Sequence, residues 1–333
     1  EHWIVMPRTF RRFDFPDTIA AGEERIDNLC VRRVDITSFE QTVLRRLGLC
    51  PSTGTLVRGA AGINADIIHG HNPVPYGAAA RRSSGRGRKP FLYEIHKINY
   101  DDIPKNSPHR ILSRMVREWH RLWECRVAGS ADAVLIQTEE EKRRICKLLH
   151  VSPRKVWVIP MGVDPREFDP DRWLEARTSM RRKHHWNDRV CFLYNGLLDS
   201  STGILLLLDA IQSLSPEVQA RIKLVVLGRG RQAPAVREAA QAAPGLIEYL
   251  GLRDYREMPR YYAACDVQVL PYLPTECWSR NVPQKLLEGM AMSRIILASD
   301  IGGIKSVLGE NGVYFRAGRK ESLAEVITRI VQD

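Results

Sequence analysis

A single stretch of the chain, residues 266–303, constrains fold and function more than any other. It reads as a buried strand, a polar loop, a helix that begins at Pro283, a second buried strand and the pair Gly302 and Gly303. Proline suits the first position of a helix, because the amide hydrogen that it lacks would have no partner there. The free amide groups at that helix N-terminus predict a binding site for a diphosphate.

Glu288 lies more than one turn into this helix, where its carboxylate can accept hydrogen bonds from the two hydroxyls of a ribose. It can equally form a solvated ion pair with Lys285, which lies three residues before it on the same helix face. The spacing alone leaves both interpretations open.

The rest of the chain alternates apolar runs of strand length with segments of helical periodicity. This alternation predicts parallel sheets covered by helices on both faces, with ligands bound outside the carboxyl ends of the strands. A turn-rich segment, residues 161–170, divides the series in two. The predicted strands are residues 3–6, 31–36, 67–69, 91–96, 133–138, 156–159, 190–194, 223–227, 247–250, 267–270 and 295–298. The predicted helices are residues 39–47, 75–82, 111–127, 139–149, 203–213, 233–243, 258–264, 283–292 and 323–331.

Length and composition indicate an ordinary folded protein of two domains, with 333 residues of which 44% are apolar and 27% charged. No apolar run approaches the roughly 20 residues that cross a bilayer, and the sequence shows no signal-peptide pattern. The seven cysteines are scattered without a CxxC pair. That spacing argues against a zinc site or a disulfide framework and favours a reducing cytoplasm.

The net charge of +11 is concentrated in the first half of the chain, most sharply in residues 81–89 (RRSSGRGRK). Neither stacking aromatic residues nor a nucleic-acid-binding module accompanies this cluster, which excludes nucleic acid as a partner. The cluster is either a solvated loop or a patch that is attracted to an anionic membrane surface. His184 and His185, which follow another basic run, are predicted to lie on the surface.

Further motifs follow one another in order along nearly the whole chain. They are residues 91–96 (FLYEIH), 131–138 (ADAVLIQT), 156–164 (VWVIPMGVD), 224–230 (LVVLGRG) and 249–252 (YLGL). Each is weak alone, but together with residues 266–303 they resemble the family 4 retaining glycosyltransferases, which have the GT-B fold. Residues 23–27 and 69–77 make the first half most similar to members associated with bacterial exopolysaccharide and exosortase loci.

The resemblance implies an α/β fold of two Rossmann-like domains that face each other across a cleft. Residues 1–165 correspond to the N-terminal, acceptor-side domain, residues 166–188 to the linker region, and residues 189–333 to the C-terminal domain that binds the nucleotide sugar. Residues 3–8 (WIVMPR) resemble the second strand of the family. We therefore expect the chain to lack the first strand, its glycine-rich loop and the first helix, and to stop before the closing helices of its relatives.

The resemblance also implies roles for individual residues. His96 ends a strand where the family often places a histidine that faces the donor sugar, and an imidazole there can donate to a hydroxyl or assist proton movement. The alternative for His96, and more strongly for His71, is a strand-end histidine bonded to the backbone. The catalytic candidates are His96 and Arg280, and the substrate-binding candidates are His71, Gly196, Gly228, Arg229, Leu252, Asn281, Lys285 and Glu288.

Several positions depart from the family pattern around the diphosphate. The arginine and the lysine that clamp the diphosphate in the family are Leu197 and Thr202 here. The first of two glutamates spaced eight residues apart is Arg280, with Glu276 in the same loop. Guanidinium groups suit diphosphates, so other cations of this half are expected to replace the lost charge. The candidates for that replacement are Arg229, Arg231, Arg280 and Lys285.

These features predict a retaining glycosyltransferase that moves a sugar from a nucleoside diphosphate to a polysaccharide or lipid-linked acceptor. The resemblance implies no metal, no other cofactor and no firmly placed protein nucleophile, and it favours the cytoplasm or the inner face of the plasma membrane. The lost phosphate cations favour a second hypothesis, a non-catalytic copy that binds nucleotide weakly or partners another subunit. An epimerase or phosphorylase on the same fold is a third, although the sequence shows no cofactor lysine or phosphate site for a phosphorylase.

Overall fold

The computed structural model of the chain describes residues 2–7, 22–26, 29–34, 52–72, 74–83, 89–96, 98, 110–186, 188–275 and 278–332. The chain divides into a first unit, Glu1–Pro160, and a second unit, Met161–Asp333. Parallel β-sheets form the centre of both units, as the alternation of strands and helices predicts.

The described part of the first unit contains two sheets. One has three strands in the order β1-β3-β2, with β1 parallel and β2 antiparallel to β3. The other is parallel and has the order β4-β5-β6-β7. The strands are β1 (His2–Pro7), β2 (Gly22–Ile26), β3 (Leu29–Val34), β4 (Ile68–His71), β5 (Phe91–Glu94), β6 (Ala133–Ile136) and β7 (Val156–Val158), and the helices are α1 (Ser52–Ala60), α2 (Val74–Ser83), α3 (Arg110–Ser130) and α4 (Glu139–Leu149).

The second unit is built on one parallel sheet of six strands, in the order β10-β9-β8-β11-β12-β13. The chain winds outward from β8 in one direction and then outward from β11 in the other, so β8 and β11 form a topological switch point. The strands are β8 (Val190–Leu197), β9 (Ile222–Arg229), β10 (Ile247–Gly251), β11 (Val267–Leu270), β12 (Ile295–Ser299) and β13 (Val313–Phe315). The helices are α5 (Leu174–Lys183), α6 (Ile204–Gln212), α7 (Pro216–Arg221), α8 (Ala233–Ala242), α9 (Met258–Ala264), α10 (Gln284–Ala291), α11 (Gly302–Leu308) and α12 (Lys320–Gln332).

Burial explains why the central strands are mostly apolar and do not alternate with polar residues. All four residues of β11 are buried, and seven of the eight residues of β9 are buried. Helices cover both faces of a parallel sheet, so neither face of its central strands meets water. Polar groups are therefore expected to gather at the carboxyl edge, where the loops leave the sheet.

Most of the predicted elements are confirmed, and α4, α9 and β11 have the predicted bounds. The sequence pattern missed α1, β2, α5, α7, α11 and β13, which have ten residues or fewer. Helix α10 begins at Gln284, because Pro283 is the extended N-cap residue (φ −74°, ψ 133°) and not the first helical residue. The predicted helix 39–47 lies outside the described residues.

The segment predicted as a linker, residues 166–188, contains α5 and belongs to the second unit. Among the described helices, none combines the length and the apolar character needed to cross a membrane.

Candidate functional site

Two glycines lie near the ends of β8 and β9, at the carboxyl edge of the six-stranded sheet in the second unit. Gly196 and Gly228 are register partners and adopt positive φ angles of 126° and 132°, which L side chains rarely adopt. A Cβ on Gly228 would collide with the carbonyl oxygen of Gly196, and a Cβ on Gly196 would collide with the Lys285 side chain. Glycine at these two positions therefore lets a cation from α10 reach the backbone at the switch point.

Glu288 on α10 is 3% exposed, and both of its carboxylate oxygens accept hydrogen bonds from tyrosines. The Tyr262 hydroxyl donates to Oε2 at 2.8 Å, and the Tyr255 hydroxyl donates to Oε1 at 3.1 Å. Tyr262 is fully buried, whereas Tyr255 is 57% exposed. Burial raises the pKa of Tyr255 to about 12, so its hydroxyl remains a donor at neutral pH.

The polar network continues from Glu288 into the sheet. The Asn195 side-chain amide, at the end of β8, donates to the Tyr262 hydroxyl at 3.0 Å. The Gln268 side chain in β11 donates to Asn195 Oδ1 at 2.8 Å. These bonds connect α9, α10, β8 and β11 and fix the orientation of Glu288. Tyr255, Tyr262, Asn195 and Gln268 were not among the predicted site residues.

Lys285 lies one turn before Glu288 and serves a different partner. Its Nζ donates to the backbone carbonyl of Asn195 and lies 5.3 and 5.5 Å from the ring centroids of Tyr194 and Tyr272. Burial lowers the pKa of Lys285 to about 8, against the opposing effect of the Glu288 carboxylate. No ion pair joins Lys285 to Glu288 in the part of the chain that the structure describes, so the predicted alternative of a solvated i,i+3 pair is wrong.

Thr202, which replaces the lysine of the family's diphosphate clamp, has a structural role. The Thr202 hydroxyl donates to the carbonyls of Leu197 and Asp199, at 3.0 and 2.7 Å. Arg231, one of the proposed substitutes, is 77% exposed at its side chain and binds both carboxylate oxygens of Asp199, at 3.0 and 2.9 Å. Lys285, another of the candidate substitutes, reaches the switch point, where its Nζ bonds the Asn195 carbonyl.

The remaining candidates of the second unit lie in loops and strand ends around the same edge. Arg280 and Asn281 occupy the loop before α10, and Gly303 donates its amide to Ser279 in that loop at 2.9 Å. A Cβ on Gly303 would collide with the Asn281 carbonyl, so this glycine allows the loop to pack on α11. Arg229 is the last residue of β9, and Leu252 follows β10 with 59% exposure.

A second polar cluster lies at the carboxyl edge of the parallel sheet in the first unit. His69 Nε2 is 3.1 Å from Glu94 Oε2, and His71 Nδ1 is 3.6 Å from the same oxygen. His96 Nε2 is 2.9 Å from His71 Nδ1. The imidazole rings of His71 and His96 thus contact side chains, which differs from the alternative of rings bonded to the backbone. We call His69, His71, Glu94 and His96 the histidine cluster.

The surface prediction is wrong for His184, although His185 is exposed. The His184 side chain is 16% exposed, stacks on the Trp186 ring at 4.6 Å and lies 2.7 Å from Glu248 Oε1. The sequence pattern missed this because Glu248 is 64 residues away, on β10.

Family models match both halves of the chain: residues 15–167 match Glycosyltransferase Family 4, and residues 189–333 match Glycosyl transferases group 1. A D-inositol 3-phosphate glycosyltransferase of Stackebrandtia nassauensis is 25% identical over 303 residues, which span 86% of this chain and 65% of that protein. The chain thus spans less than two thirds of that relative.

Two solved structures share the fold. Anabaena HepE, in complex with UDP and glucose, superposes with a TM-score of 0.67 at 19% identity, over 91% of this chain and 77% of HepE. Sucrose-phosphate synthase from Thermosynechococcus elongatus gives a TM-score of 0.70 at 19% identity, over 96% of this chain and 77% of that one. The fold is therefore GT-B, and both halves of the chain match glycosyltransferase domains, Family 4 in the first half and group 1 in the second.

Proposed function

We propose that the chain binds a nucleoside diphosphate sugar at the carboxyl edge of the six-stranded sheet in the second unit. We propose that it transfers the sugar with retention of configuration. The observation that carries this proposal is a buried carboxylate and an ammonium group side by side at the switch point, Glu288 and Lys285. A carboxylate suits the two hydroxyls of a ribose, and a cation beside a helix N-terminus suits a diphosphate.

In the proposed complex a ribose hydroxyl replaces the Tyr255 hydroxyl as a hydrogen-bond donor to Glu288. Tyr255 is the exposed donor to Glu288, so a ribose hydroxyl can take its place without disturbing the buried bond from Tyr262. The exchange keeps every oxygen of Glu288 hydrogen-bonded, which matters because an unsatisfied buried carboxylate is costly.

The diphosphate lies against Lys285, the glycine pair Gly196 and Gly228, and the amide groups at the start of α10. Arg229 and Arg280 are the further cations that we propose for it. These groups stabilise the leaving diphosphate, and its oxygens help to deprotonate the incoming hydroxyl on the same face of the sugar. The proposed reaction uses neither a protein nucleophile nor a metal ion.

The comparisons support this choice of donor and reaction class. HepE was solved with UDP and glucose, and the named relatives are glycosyltransferases, which does not favour the non-catalytic alternative. We propose UDP as the donor nucleotide and a polysaccharide or a lipid-linked glycan as the acceptor. Catalytic roles for His96 and Arg280 and a substrate-binding role for His71 stay predictions.

We also propose that the first unit contacts an anionic membrane surface from the cytoplasmic side. Arg81 and Arg82 lie exposed in the last turn of α2, and Ile111 and Met115 on α3 are 80% and 64% exposed. Cations near an anionic surface contribute about 1 kcal/mol each. The chain should sediment with vesicles that contain phosphatidylglycerol and not with phosphatidylcholine alone, and equal sedimentation with both would contradict the proposal.

Release of nucleotide from a panel of UDP- and GDP-sugars tests the proposed function. We expect UDP release from one UDP-sugar, faster with a glycan acceptor, and a product whose anomeric configuration by NMR matches that of the donor. Glu288→Ala should abolish the release, whereas Glu238→Ala, which alters an exposed glutamate on α8 of the same unit, should not. Release that is unchanged in Glu288→Ala would remove Glu288 from the donor site.

A further inference from the structure

The histidine cluster offers metal-ligating atoms at bonding separations. His69, His71 and Glu94 each present one ligand atom, and these three atoms lie within 4.8 Å of one another. Ligand atoms around a tetrahedral zinc ion lie about 3.3 Å apart, since Zn–N bonds are about 2.0–2.1 Å long. The separations from Glu94 Oε2, which are 3.1 Å to His69 and 3.6 Å to His71, bracket that value.

Strand geometry explains how the chain builds this cluster. His69 and His71 alternate with the buried Gly70 on β4, so both side chains project from one face. The parallel register pairs His71 with Glu94, which brings the carboxylate of β5 beside both rings. The rings of His69 and His71 stack at 4.4 Å between centroids, and the ring of His96 stacks on His71 at 5.2 Å.

We propose that His69, His71 and Glu94 form a binding site for a divalent transition-metal ion of the zinc type in the first unit. Two imidazoles and one carboxylate form a ligand set that leaves a fourth position for water or for an anionic oxygen ligand. His96 Nε2, 2.9 Å from His71 Nδ1, lies close enough to occupy that position or to bond its ligand. Imidazole ligands favour zinc, copper or nickel, whereas magnesium and calcium favour oxygen ligands.

The proposed metal ligands belong to the first unit, whereas Glu288 and Lys285 belong to the second, and metal binding can be tested independently of the proposed function. The scattered cysteines pointed away from zinc, but the four members of the cluster are histidines and a glutamate. The HxH and ExH spacings at residues 69–71 and 94–96 were the available signal.

Titration of the chelator-stripped chain with Zn²⁺ against a chromophoric competitor tests the site. We expect one equivalent to bind, with affinity reduced roughly 100-fold in His71→Ala and at least tenfold in Glu94→Gln. Co²⁺ should give the strong visible absorption of a four-coordinate ion, which His71→Ala should lose. Mg²⁺ should not compete.

The matched control is His184→Gln, which removes a histidine that also lies beside a carboxylate but belongs to no three-ligand group among the described residues. This variant should bind Zn²⁺ with unchanged affinity. The altered side chains of the cluster are partly exposed, so unchanged thermal unfolding of the metal-free variants should show that they fold. Failure of the native chain to bind one equivalent of Zn²⁺ would overturn the proposal. So would binding of Zn²⁺ by His71→Ala and Glu94→Gln with the same affinity as the native chain.

Discussion

Each unit buries a glutamate that accepts a hydrogen bond from a tyrosine, but the two glutamates have different surroundings. Glu124 on α3 is fully buried, and the Tyr93 hydroxyl donates to its Oε1 at 2.5 Å. Its Oε2 has no hydrogen-bond partner among the described residues. Glu288 has donors at both oxygens, and the ammonium group of Lys285 lies one turn away.

The comparison shows that burial of a carboxyl group does not by itself define a site. Burial raises the pKa of Glu124 to about 7, because the core disfavours the ionised carboxylate. Glu288 lies at the carboxyl edge of a sheet, beside a cation and an exposed donor that a ligand can replace. We propose that those three features mark Glu288 as a ligand-binding carboxylate, which Glu124 in the core is not.

The largest predicted effect concerns stability and Glu124. Its pKa of about 7 in the folded chain exceeds the ordinary value of 4.5, so the folded state binds the proton more tightly. The stability of the native chain should therefore fall as pH rises from about 4.5 to 7, and the full penalty should remain above pH 7. Glu124→Gln removes this penalty and should stabilise the chain by roughly 2–3 kcal/mol at pH 8 and little at pH 4.5.

Urea unfolding at the two pH values measures this difference. The same variant should bind UDP as the native chain does, because Glu124 belongs to the first unit's core. A destabilised Glu124→Gln chain at pH 8 would show that the ionised carboxylate is needed in the core.

The next largest effect concerns the charge beside Glu288. Lys285→Met should weaken the binding of UDP by about 2 kcal/mol, or roughly 30-fold in affinity, because a charge-assisted bond to the diphosphate is lost. Uridine, which has no phosphate, should bind both chains alike. Calorimetry measures both ligands. Lys305→Met is the control, since Lys305 is an exposed lysine over a tyrosine ring in the same unit. An equal loss of affinity for UDP and for uridine would show that Lys285 does not contact the diphosphate.

A smaller effect follows from the lowered pKa of Lys285, about 8. The ammonium form is present below that pH and is lost above it, so UDP affinity should fall roughly tenfold between pH 7 and pH 9. The terminal phosphate of UDP titrates near pH 6, below this window. The decline should disappear in Lys285→Met. A flat profile for the native chain would contradict the role of this ammonium group.

The smallest effect separates the two tyrosines. Tyr255→Phe should change UDP affinity by no more than about threefold, because a ribose hydroxyl replaces its bond to Glu288. Tyr262→Phe should instead lower the free energy of unfolding by about 1–2 kcal/mol, since its bond is buried. Urea unfolding and UDP titration of the two variants measure this contrast. A strong loss of UDP affinity in Tyr255→Phe would mean that this tyrosine contacts the ligand.

Sequence pattern predicted the sheets well because parallel strands that are buried on both faces are mostly apolar, as in β9 and β11. It missed α7 and α11, which have six and seven residues and too few turns to show a helical period. It missed Tyr255 and Tyr262 as partners of Glu288, because they lie 33 and 26 residues earlier and only the fold joins them.

The histidine cluster shows the same limit. His71 and His96 are 25 residues apart, and the register of β4 with β5 brings Glu94 beside both rings. The sequence predicted His71 and His96 one at a time, whereas the structure places them in contact with each other.

Titration of the native chain and Glu288→Gln with UDP and with uridine is the most direct test of the nucleotide site. Glu288 is proposed to bind the ribose, which both ligands contain. The variant should therefore lose affinity for both ligands by a similar factor, roughly 10- to 100-fold. Lys285→Met should instead lose affinity for UDP and keep its affinity for uridine. UDP binding that is as tight in Glu288→Gln as in the native chain would contradict the assignment of this edge as the donor site.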